Sequence, residues 1–108
     1  MKIDVLGVEY EILTMSEDKF PKLKTLNANG LAELYDKKLI INERSCKPTE
    51  ETYDNLEAYA RKVIRHEIVH AFFHESGLMD YSNDEMLVDW MALQLPKVLK
   101  AFKEADCL

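Results

Sequence analysis

The chain has 108 residues, 47% hydrophobic and 31% charged, a mix that fits one globular domain around one core. A formal net charge of −6 argues against a nucleic-acid partner, which needs a basic patch. Three glycines and three prolines leave little room for linkers, and no stretch approaches the ~18 apolar residues of a membrane span or shows the apolar region of a leader. Two cysteines, Cys46 and Cys107, make neither a disulfide framework nor a zinc-type pair. They read as free thiols in a reducing compartment. The expectation is a soluble, cytoplasmic protein with no membrane or nucleic-acid partner.

In chain order, residues 2–13 read as a short hairpin or a bent strand. Ile3, Val5, Val8, Tyr10 and Ile12 nearly alternate, and Gly7 sits where the register shifts. The Phe20-Pro21-Lys22-Leu23 segment reads as a loop or a short helix. Asn27-Ala28-Asn29-Gly30 is a turn signal. Leu31–Tyr35 and Lys38–Asn42 read as a second hairpin turning at Asp36-Lys37, and Leu39-Ile40-Ile41 is the most strand-like run.

The period then changes. Thr49 to Ser76 reads as one long helix, with Pro48 and Thr49 at its start and Glu50 and Glu51 in the first turn. Gly77 lies just past its end. Its second half is apolar on several faces (Val63, Ile64, Ile68, Val69, Ala71, Phe72, Phe73), which predicts a central, buried helix. Residues 78–83 are a connection. Asn83 or Ser82 caps a further helix over Asp84–Leu95, Pro96 ends or kinks it, and Lys97–Glu104 form a short last helix. There are no repeats. The predicted fold is α+β: a small, mostly antiparallel sheet packed on the long helix, with two C-terminal helices covering it.

The chemistry lies in His66-Glu67-Ile68-Val69-His70. At ~100° per residue, His66 and His70 share one helix face about a turn apart, so both imidazoles can reach one ion. Glu67, at the edge of that face, can hold a metal-bound water instead of the metal. A catalytic zinc needs a third protein ligand and an open fourth position. Glu85, in the first turn of the next helix, is chosen for it. Asp89, one turn on, can accept a hydrogen bond from the outer nitrogen of a ligating histidine.

Several neighbours carry weaker signals. His74 continues the face as an alternative ligand, a substrate-binding group or a carboxylate partner. Asp84 is a second candidate ligand, although its place suits a cap better. Tyr53, Tyr59 and Tyr81 can donate to an oxyanion but more commonly only pack. Trp90-Met91-Ala92-Leu93 reads as core. Glu50, Glu51, Asp54 and Glu57 read as a solvated helix face.

His66-Glu67-x-x-His70 followed by Glu85-x-x-x-Asp89 resembles the gluzincin metallopeptidases, and at this size the ImmA/IrrE-type and related phage-borne zinc peptidase domains. Glu85 through Pro96 is similar in kind to the helix that carries the family's downstream motif. Val69 stands where the family often has glycine. The resemblance spans about residues 60–96. It implies one zinc held by His66, His70 and Glu85, with Glu67 as general base and Asp89 orienting a histidine. The expected activity is hydrolysis of a peptide or protein substrate, with His74 or Tyr81 helping to hold the oxyanion. Lys38–Asn42, as an exposed sheet edge, would bind the substrate by strand addition. The alternative is a non-catalytic, zinc-stabilised module that engages a protein partner.

Overall fold

The computed structural model describes residues 1–46 and 54–108. Strands β1 (Lys2–Val5) and β2 (Val8–Met15) form the first hairpin. Leu6 and Gly7 both have positive φ, at 51° and 88°, as a two-residue hairpin turn requires, and the Gly7 amide donates to Asp4 Oδ2. A one-turn helix, α1 (Lys22–Thr25), follows and buries Leu23. Strands β3 (Gly30–Glu33) and β4 (Lys38–Asn42) form the second hairpin.

The four strands lie in the order β1-β2-β4-β3. The sheet is therefore mostly antiparallel, with one parallel pair at its centre, β2 on β4. Lys38–Asn42 is not the edge that the sequence suggests. Leu39, Ile40, Ile41 and Asn42 alternate in direction and are all buried, which needs cover on both faces and an interior position. The edge beside the long helix is β3. Buried Asn42 is fully engaged: its amide donates to Glu17 and to the Ala28 carbonyl, and its oxygen accepts from the Arg44 amide.

The motif helix, α2, runs from Leu56 to Glu75. The predicted start at Pro48 and Thr49, with Glu50 and Glu51, lies outside the described residues. The two residues before α2 are not helical. Asn55 is non-helical (φ −130°, ψ 83°), and its side chain accepts from the Ala58 amide, so it caps the helix and turns the chain out of it. One side of α2 packs on the sheet, where Ala71 and Ile68 meet Val5, Tyr10 and Leu39. At its C-terminal end, Glu75 Oε1 accepts from the Tyr10 hydroxyl at 2.7 Å and from Lys37 Nζ at 2.6 Å, which ties helix to sheet. These two bonds hold the Glu75 carboxyl below its usual range, Lys37 having the larger effect. The helix is not buried all round, since Phe72 is 40% exposed.

A one-turn helix, α3 (Met79–Ser82), leads into α4 (Glu85–Glu104), which crosses α2. Asp84 caps α4 by accepting from the Leu87 amide, so neither Asn83 nor Ser82 has that role. The helices predicted over Asp84–Leu95 and Lys97–Glu104 are one. α4 runs unbroken through Pro96. Proline has no N–H to give to the carbonyl four residues back, which is that of buried Ala92. Arg65 Nε on α2 donates to that oxygen at 2.6 Å. The neighbouring helix thus supplies the bond that proline removes. Trp90-Met91-Ala92-Leu93 is core only at Ala92. Trp90 and Leu93 are 54% and 48% exposed because they lie on the side of α4 turned away from α2. Among the described residues, no helix is long and apolar enough to cross a membrane, and Cys46 and Cys107 are exposed and unpaired.

Arg65→Met should destabilise the chain by about 1–3 kcal/mol in urea unfolding, because it leaves a buried carbonyl unpaired. In a Pro96→Ala background, where an amide is restored, most of that cost should vanish, and equal costs in both backgrounds would refute the pairing. A carboxyl with a depressed folded pKa stabilises above its unfolded pKa and loses that effect as pH falls through the folded one. Glu75→Gln should therefore lower Tm at neutral pH, with the difference closing as pH drops through and below the ordinary carboxylate range. A pH-independent difference would show that the charge is not what matters.

Candidate metal centre

Three side chains from two helices converge. His66 and His70 project from the same face of α2, and Glu85 comes from the first turn of α4. His66 Nε2 lies 3.2 Å from His70 Nε2 and 2.9 Å from Glu85 Oε2, and His70 Nε2 lies 3.0 Å from Glu85 Oε1. One donor atom from each of the three falls within 4.8 Å of the others.

The far side of each ring is anchored. His66 Nδ1 is 3.3 Å from Asp89 Oδ1. A carboxylate there favours the tautomer protonated on Nδ1, which leaves the Nε2 lone pair for an electrophile. His70 Nδ1 is 3.2 Å from Ser82 Oγ, and that hydroxyl donates to the His70 carbonyl. With its proton spent on the carbonyl, Ser82 accepts from His70 Nδ1, and Nε2 again faces inward. Burial, the largest cause, and the neighbouring His66 lower the His70 pKa, while Glu85 opposes them. The shift favours the neutral imidazole, the form that binds metals.

The donor set fits zinc. Ligands ~2.0–2.1 Å from a tetrahedral ion stand about 3.3 Å from one another. The nitrogen and oxygen spacings here are close to that. Two imidazoles and a carboxylate also suit zinc better than they suit calcium or magnesium, which prefer all-oxygen cages.

Glu67, next to His66 on α2, lines the same cleft as both histidines and Glu85 and is only 5% exposed. Its carboxyl rests on Gly30, the first residue of β3. A Cβ built there would lie 2.8 Å from Glu67 Oε2 and 3.0 Å from its Cγ. Burial first, and then the charge of Glu85, push the Glu67 pKa up to about 8, while Lys62 pulls against them. Glu67 lines two clefts that meet at His66. The larger, about 300 Å³, runs between β3 and the residues His70, Ser82 and Glu85. The smaller, about 190 Å³, is walled by Asn29, Tyr59, Lys62 and Asp89.

Asp89 meets His66, as proposed for it. Asp84 is occupied as the α4 cap. His74 lies outside the group of three, with Nδ1 3.0 Å from Met79 Sδ, Nε2 4.0 Å from Glu75 and its ring against Tyr35. Tyr81 packs on Phe73, whereas Tyr59 lines the smaller cleft with its hydroxyl bonded to Asn29. Tyr53 is outside the described residues. Three contributors were missed: Ser82, Gly30 and Lys62, the last paired with Asp89. A lysine one turn before the first histidine was visible in the sequence. The contacts of Ser82 and Gly30 exist only in three dimensions.

Gly30→Ala should cost about 1–3 kcal/mol by overpacking, read by thermal or urea unfolding, and less in a Glu67→Ala background. An unchanged stability for Gly30→Ala would mean that the Glu67 carboxyl is not seated on β3. Compared with known protein families, curated proteins and solved structures, the chain matches none.

Proposed function

We propose that the chain is a zinc-dependent hydrolase that cleaves a peptide bond in an extended segment lying along β3. The observation that carries this reading is the convergence of His66, His70 and Glu85, each histidine turned inward by its own anchor, with Glu67 buried beside them. His66, His70 and Glu85 would hold the ion. Zinc held there would lower the pKa of a water towards ~7, polarise a carbonyl and, by its charge, favour the ionised form of Glu67.

The chain's own part is proton transfer and positioning. Glu67 Oε takes a proton from the attacking water as its oxygen bonds to the carbonyl carbon. It then delivers that proton to the amine nitrogen as the carbon–nitrogen bond breaks. Packing against Gly30 fixes the carboxyl, so little reorganisation is needed. β3 is a sheet edge at the wall of the larger cleft, which suits an extended peptide held by main-chain hydrogen bonds.

The competing reading, a protein-binding module with zinc as a structural support, asks for a closed site with four protein donors. Among the described residues the group offers three, and the Glu85 side chain is 68% exposed. Both facts support an open site.

Elemental analysis of protein offered zinc at neutral pH should give about one zinc per chain, lost in His66→Ala and in Glu85→Ala. Glu67→Gln should keep the metal and lower kcat by roughly 10²–10⁴-fold. A wild type that takes up no zinc would sink the proposal. Zinc retained by Glu85→Ala would show that the third ligand is misassigned, and full activity in Glu67→Gln would remove the general base.

A further inference from the structure

Lys62 stands one turn before His66 on α2, and its ammonium pairs with Asp89 Oδ1 across the helix crossing. The same oxygen lies 3.3 Å from His66 Nδ1. Lys62, Asp89 and His66 therefore form a chain of three polar groups that ends at the proposed ligand nitrogen. The Lys62 side chain is only 23% exposed, against 39% for Asp89. Lysine is seldom held down in this way. Ordering its long stem costs rotamer entropy, and its compact, strongly hydrated ammonium is expensive to withdraw from water.

We propose that Lys62 is a positioning residue of the zinc site, holding the Asp89 carboxylate against α2 so that Asp89 in turn fixes the His66 ring with Nε2 facing His70 and Glu85. This rests on the zinc reading above. The physical need is plain. Asp89 is partly exposed, and a hydrogen bond to one imidazole leaves its carboxylate able to rotate towards water. A second, charged donor on the α2 side removes that freedom. It also places a positive charge beside Asp89, balancing a cluster that otherwise gathers Glu67, Glu85 and Asp89. A group bonded directly to a ligand, as Asp89 is, typically changes metal affinity by roughly 10–100-fold when lost, and Lys62 acts one step further out, through Asp89.

The test is zinc affinity, measured on the full chain by competition with a chromophoric chelator, beside the Tm of the metal-free protein. Lys62→Met, with Lys62→Gln as the variant that keeps a polar head, should bind zinc several-fold more weakly, up to about 10-fold, a smaller loss than that of Asp89→Asn. Lys62→Arg, which restores a cationic donor, should remain near wild type. In an Asp89→Asn background, Lys62→Met should cause little further loss, since its effect runs through Asp89. A lysine that merely ties two helices together would lower the metal-free Tm and leave zinc affinity unchanged. Wild-type affinity in Lys62→Met and Lys62→Gln would overturn the assignment and leave the zinc reading standing. So would an equal loss with and without Asp89. A wild type that binds no zinc would overturn both.

Discussion

The crossing of α4 over α2 is the constraint on which the site depends. Neither helix carries the cluster alone. α2 supplies two imidazoles and a buried carboxylate, and α4 supplies Glu85 and Asp89, 19 and 23 residues further along the chain from His66. Their meeting requires a fixed crossing point, and the Arg65 bond to the Ala92 carbonyl provides one. Pro96 makes that bond specific, because only the carbonyl that proline leaves unpaired has a strong demand for an outside donor. The lock is adjacent to His66 in sequence and one to two turns from Asp89 and Glu85, so little slack lies between lock and site.

The sheet serves the same end from the other side. Packing of Ala71 and Ile68 on Tyr10 and Leu39 sets the height of α2 over the strands. Glycine at the start of β3 then lets the strand approach close enough to seat Glu67. The result is a carboxyl removed from water at the junction of two clefts. Burying an acid without a formal partner is costly in most folds. Here that cost places a carboxyl where the histidines and Glu85 converge.

Much of this was legible in the sequence, for identifiable reasons. The α+β class followed from alternation giving way to helical spacing after Asn42. The second hairpin followed too, although its turn spans residues 34–37 and not Asp36-Lys37 alone, while residues 2–13 left a hairpin and a bent strand open. The grouping of His66, His70 and Glu85 followed from i, i+4 geometry and a short connection. What was not legible came from pairings remote in sequence. Nothing local marks β4 as the strand inserted between β2 and β3, although its unbroken Leu-Ile-Ile run is what an interior strand looks like. Pro96 read as an end or a kink, because nothing local shows that the bond it removes is supplied by Arg65, 31 residues earlier. Trp90 and Leu93 read as core because apolar character does not say which side of a helix finds a partner. Asn55, Ser82 and Gly30 have roles set by one tertiary or capping contact each.

The inserted strand also sets an order of assembly. Each hairpin joins neighbours in sequence, and such local closures take microseconds. The central seam pairs Glu11 with Lys38 and Met15 with Asn42, so it must close a span of 27 residues before its contacts form. Loop-closure entropy places that seam after the hairpins. Only then does a continuous apolar floor exist for α2. The residues of the candidate metal centre thus come together last, on a platform that contains none of them.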